Sequence, residues 1–137
     1  MWIKLDQDAC MPERAHKEDA GLDIKAMYGD IVPAHGSAVF RTGLHIELPK
    51  CTAGILVSKS GLNAKFDITS TGLIDEGYTG EIKVKLYNHG DQDYEVQHGD
   101  KISQLVIVPI IKPDLTVVKE LPEDTCRGSN GFGSSGR

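Results

Sequence analysis

One stretch near the middle of the chain could do general-base chemistry: Gly72-Leu73-Ile74-Asp75-Glu76-Gly77-Tyr78-Thr79-Gly80-Glu81. Asp75 follows the apolar, β-favouring pair Leu73 and Ile74, which would hold it half-buried at a strand end, a place suited to a general base. Tyr78 comes three residues later, in a turn punctuated by Gly77 and Gly80. An ordinary hairpin whose Asp caps its turn has the same composition, so this stretch alone leaves both readings open.

Four other places carry compatible chemistry. Lys59, Ser60 and Gly61 in Val57-Ser58-Lys59-Ser60-Gly61-Leu62 could cradle an anion, with a point charge, a hydroxyl and backbone N–H groups entering a helical turn. A plain N-cap by Ser58 or Ser60 fits equally well. Gln104 is polar among apolar neighbours and needs a partner if buried, from the core or from a ligand. Asp23, in Ala20-Gly21-Leu22-Asp23-Ile24, reads as an edge-strand acid after a glycine that permits close backbone approach. Lys83 lies on the polar face of an alternating strand, placed to look into a site beside Asp75.

Arg127 and Phe132 stand in a glycine-rich tail. A cation to meet phosphate and an aromatic to stack on a base, on flexible glycines, suit a closing lid; a frayed terminus has the same composition. Residues 131–136 match G-x-G-x-x-G, yet only Arg137 follows, so neither a dinucleotide-binding fold nor a P-loop is expected.

These residues need a scaffold, and 137 residues suit one domain with a real core. The net charge of -5 and pI of about 5.5 disfavour a nonspecific role on nucleic acid or membrane surfaces. Any phosphate site must therefore be built locally. Cys10, Cys51 and Cys126 are odd in number with no CxxC pair, which points away from disulfides and zinc and towards the reducing cytoplasm. The five histidines show no ligand spacing. The N-terminus lacks the apolar core of a signal peptide, and the longest apolar run, 105–111, contains Pro109 and is too short to span a bilayer.

Short alternating runs at 2–5, 22–26, 39–41, 44–48, 54–57, 81–87, 94–96, 102–110 and 115–118 read as strands between turn signals. Only 60–65 suggests a helical turn or two. The expectation is an all-β, jelly-roll-like sandwich or barrel over residues 1–126, with a flexible arm over 127–137.

Taken together and in order, residues 20–24, 58–62, 72–81, 99–105 and 127–136 resemble the five motifs of the homotrimeric all-β dUTP diphosphatases (dUTPases). The resemblance implies a jelly-roll protomer, a homotrimer with sites between subunits, and hydrolysis of dUTP to dUMP and pyrophosphate with Mg²⁺ on the triphosphate. Asp75 is then similar to the water-activating base and Tyr78 to the aromatic that excludes a 2′-hydroxyl. Gly72, Leu73 and Ile74 match the uracil-reading hairpin. Lys59, Ser60 and Gly61 match the phosphate turn, Gln104 its polar partner, and Lys83 the site wall. Arg127 resembles a γ-phosphate clamp, Phe132 the ring stacked on uracil, and Gly133 and Ser134 phosphate contacts. Asp23 resembles the acid near the hydrated metal. Lys59 replaces the family's usual Arg, Gly77 its usual Asp, and the approach from Lys65 to Gly72 is shorter than usual.

The related dCTP deaminases share the hairpin, but Lys85 stands where their catalytic glutamate would be. A phage-type dUTPase acting mainly as a regulatory protein-binding module is a further alternative; no large insert supports it. A non-enzymatic jelly-roll module has no reason to combine Asp75, Lys59, Arg127 and Phe132.

Overall fold

The computed structural model describes residues 1–121; Cys126, Arg127, Phe132, Gly133 and Ser134 lie outside the described residues. Nine strands and one short helix are described: β1 (Trp2–Leu5), β2 (Leu22–Lys25), β3 (Asp30–Val32), β4 (Ser37–Glu47), β5 (Thr52–Val57), α1 (Ser60–Phe66), β6 (Ile68–Ile74), β7 (Ile82–Asn88), β8 (Tyr94–Val96) and β9 (Lys101–Pro109). Seven strands form one antiparallel sheet in the order β1-β4-β7-β6-β5-β9-β2, while β3 and β8 make a separate two-stranded ribbon. The expected all-β class holds.

Period-two patterning explains the core. In β7, Ile82, Val84 and Leu86 are fully buried while Lys83 and Lys85 face out. They join Ile24, Val32, Phe40, Leu44, Ile46, Leu56, Ile68, Ile102 and Leu105 in one apolar cluster drawn from both sheets.

Two expected runs, 39–41 and 44–48, belong to a single strand. β4 skips register against β7 between Arg41 and Leu44, with Gly43 at φ +62. A Cβ there would sit 2.6 Å from the Ala9 Cβ, so glycine is required at this bulge. Thr42, buried beside it, donates to the Ile82 carbonyl at 2.5 Å and accepts from the Leu44 N–H at 3.1 Å. The run 115–118 is not a strand. Residues 110–121 carry no regular structure, and Ile111, Leu115 and Val117 are almost wholly exposed.

Candidate active site

Strand register brings three of the sequence-distant stretches, 20–24, 58–62 and 99–105, to one end of the sheet. Thr71 and Gly72 on β6 oppose Val57 and Leu56 on β5; Val57 opposes Gln104 on β9; Gln104 opposes Asp23 on β2. Ser58 and Lys59 follow directly from Val57. The Ser58 hydroxyl donates to the Ser70 carbonyl and accepts from its N–H, at 3.0 and 2.9 Å. Neither Ser58 nor Ser60 caps α1: Lys59 holds the N-cap position in an extended conformation, with no side-chain cap. Ser60 and Gly61 are exposed, and a Cβ on Gly61 would meet nothing.

Asp23 is the hub of this cluster. It is only 4% exposed, yet its carboxylate meets the Lys59 ammonium at 2.5 Å, the Lys101 ammonium at 2.9 Å and the Gln104 amide at 3.5 Å. Gln104 therefore has its partner. Gly21 makes room for it, since a Cβ there would press on the Gln104 Cβ at 3.1 Å. Burial alone would raise the Asp23 pKa; hydrogen bonds from Lys59 and Lys101 outweigh it and hold the carboxyl below its ordinary range.

Lys101 and Glu13 are the partners that sequence reasoning passed over. Glu13 lies outside all five stretches and binds Lys25 at 2.9 Å and Lys101 at 3.3 Å. Its backbone also pairs with Asp23, at 2.7 and 3.4 Å, as an isolated bridge beyond β2. The only local signal was Lys101 itself, a cation opening a buried strand.

A second cluster lies at the other end of β6. Leu73, Ile74, Asp75, Tyr78, Glu81, Ile82 and Lys83 line a concavity of ≈ 300 Å³. The expected half-buried Asp75 is instead exposed, because β6 ends at Ile74 and the chain turns outward, closed by Tyr78 N–H donating to the Asp75 carbonyl at 3.0 Å. Tyr78, 44% exposed, donates its hydroxyl to the Glu81 carbonyl at 2.9 Å. Its ring lies over Gly80, where a Cβ would come within 2.5 Å of the hydroxyl oxygen. The Glu81 carboxylate is tied to Arg41 and to the Gly43 N–H, each at 3.0 Å, and so anchors the hairpin to the β4 bulge. Leu73 is 67% exposed, an apolar side chain on the open face beside the acid. Lys83 is exposed on the wall, as its face of β7 dictates.

The two clusters are far apart within a protomer. Asp75 is four residues past Thr71, roughly 13 Å along the strand, while Lys59 lies beyond Val57 in the opposite direction. Among the described residues no group of three His, Cys, Asp or Glu could hold a metal. Both oxygens of Asp23 already face ammonium groups, so this donor set does not fit direct coordination of a divalent ion.

The dUTPase family profile matches residues 7–136. The chain belongs to the dUTPase family. Curated relatives called deoxyuridine 5'-triphosphate nucleotidohydrolase include one from Clostridium acetobutylicum, 45% identical over 97% of this chain and 93% of that one. Another, from Paramecium bursaria Chlorella virus 1, is 43% identical over 97% and 94%. Among solved structures, a mutant dUTPase of Staphylococcus bacteriophage 80alpha with dUpNHpp has a TM-score of 0.92 at 32% identity, covering 99% of this dUTPase and 98% of the phage chain. A mutant dUTPase from phage phi11 of S. aureus, TM-score 0.81 and 32% identical over 87% and 96%, is described with a structural Mg(II) ion.

Proposed function

We propose that this dUTPase hydrolyses dUTP to dUMP and pyrophosphate, with Asp75 as the base that orients and deprotonates the attacking water. The observation that carries this reading is the open concavity in which the Asp75 carboxylate, with no hydrogen-bond partner among the described residues, stands beside Tyr78 and Lys83. Water held by Asp75 gives up a proton to the carboxylate and its oxygen bonds to the α-phosphorus; the bond from that phosphorus to the α–β bridging oxygen breaks, and this oxygen leaves with pyrophosphate. Gly72, Leu73 and Ile74 read the uracil edge. Tyr78 packs on the deoxyribose, with its ring orientation fixed by the Glu81 carbonyl.

Lys59, Ser60 and Gly61 hold the phosphate chain, and Gln104 acts on that turn through Asp23. A base and a cation gripping one phosphate chain must both lie within a few ångströms of it. The separation of Asp75 from Lys59 therefore supports a site assembled from different protomers of a homotrimer. The exposed apolar side chains of Ile111, Leu115 and Val117 support the same assembly. Mg²⁺ enters as part of the substrate, carried on the triphosphate, where it neutralises phosphate charge. Asp23, its oxygens already engaged, would meet that ion only through water. A cytoplasmic setting agrees with Cys10 and Cys51, which form no disulfide among the described residues. Among the described residues no helix is long and apolar enough to cross a membrane.

A nucleotide panel of dUTP, dTTP, dCTP and UTP tests the reading. Pyrophosphate release from dUTP far above the others is expected, and ammonia released from dCTP would overturn it. In the same assay Tyr78→Ala should improve kcat/KM for UTP relative to dUTP by about tenfold or more. Unchanged sugar selectivity would remove Tyr78 from that role.

A further inference from the structure

We propose that Lys101 and Glu13 are positioning residues for phosphate binding: they fix Asp23, and Asp23 fixes the Lys59 ammonium. The inference rests on the reading of Lys59 as a phosphate cation. Asp23 is buried, and a buried carboxylate keeps one orientation only if its oxygens are occupied. Oδ2 is held by Lys101 at 2.9 Å, which leaves Oδ1 aimed at Lys59 at 2.5 Å. Glu13 steadies Lys101 from the other side at 3.3 Å and draws in Lys25 at 2.9 Å. The register skip between Ile24 and Lys25 sets Lys25 opposite Lys101, so these two cations need the Glu13 carboxylate between them. The backbone bridge between Glu13 and Asp23 fixes the spacing of the two acids.

Two consequences bear on the nucleotide. Within this network of described residues, three lysines (Lys25, Lys59 and Lys101) face two carboxylates (Glu13 and Asp23), one surplus positive charge in a chain whose net charge is -5. An ammonium has three donors, so Lys59 can hold Asp23 with one and offer the others to phosphate. A lysine released from Asp23 would instead regain the rotamer freedom that makes a flexible cation a poor anchor. Glu13 and Lys101 thus act on substrate without touching it.

The test uses the full chain. Lys101→Met should raise KM for dUTP about tenfold, with kcat within about twofold, the size of one lost hydrogen bond to a charged group. Lys101→Arg should restore most of the affinity, and Glu13→Gln should shift KM in the same direction by less. Binding of dUpNHpp should weaken while binding of dUMP stays close to wild type, a split that general destabilisation would not give. Lys59→Ala is the control. If it raises KM while Glu13→Gln and the folded Lys101 variants keep wild-type KM, the positioning role is overturned. If Lys59→Ala itself leaves KM unchanged, the reading of Lys59 as the phosphate cation fails instead. Should Lys101→Met not fold, Glu13→Gln decides, because its side chain is half exposed and its charge is lost without loss of volume.

Discussion

Replacing Asp75 with asparagine is expected to lower kcat for dUTP by ~10²–10⁴-fold, the usual contribution of a positioned general base. Asparagine keeps the shape and the acceptor oxygen but cannot take a proton from water. The fold has no stake in the change. Asp75 is exposed, its side chain has no partner among the described residues, and the turn is closed through its backbone carbonyl, which asparagine retains. Binding of dUpNHpp should therefore stay within a few-fold of wild type, and thermal unfolding should not move. Wild-type turnover in Asp75→Asn would refute the base assignment. Equal loss of analogue binding and turnover would reassign Asp75 to substrate binding.

Deleting residues 127–137 is the second change expected to have a large effect. Arg127 would contribute a charge-assisted bond to phosphate, about 1.5–3 kcal/mol. Phe132 would stack on uracil, about 1–3 kcal/mol. Together they imply a fall in kcat/KM of roughly 10²-fold or more, at about 1.4 kcal/mol per factor of ten. The apolar cluster runs from Ile24 to Leu105, so the thermal midpoint and the oligomeric state should survive the deletion. Full activity in the shortened chain would remove both residues from the site. Unfolding would show that the segment belongs to the fold.

Much of this was legible in the sequence because it is local. Alternation alone places Ile82, Val84 and Leu86 inward and Lys83 outward, and Tyr78 in a turn beside Asp75 follows from glycine spacing. The errors come where a distant contact decides. Gly43 reads as a break, yet Ala9 and Met27 press against it and make it a bulge inside β4. β3 is three residues long and shows itself only through its partner β8. The alternation at 115–118 fails as a strand because no described neighbour receives it. Asp75 was expected half-buried from its apolar approach, but a strand end and a tight turn carry the next residue into the open.

In the candidate site the residue types were readable and the pairings were not. Asp23, Lys59 and Gln104 were each singled out separately. That Lys59 and Lys101 both close on Asp23 depends on the order β5-β9-β2, which no local pattern encodes. Glu13 was invisible for the same reason, since a bridge beyond an edge strand leaves no periodicity.

The shared site is the central claim, and mixing two inactive chains tests it most directly. Asp75→Asn and Lys59→Ala homo-oligomers should each be nearly inactive for dUTP. After denaturation together and refolding at equal amounts, roughly a quarter of sites should pair an intact Asp75 from one protomer with an intact Lys59 from another. Recovery of about that fraction of the wild-type rate is the predicted result. No recovery from co-assembled chains, with each variant folding normally alone, would contradict a site divided between protomers.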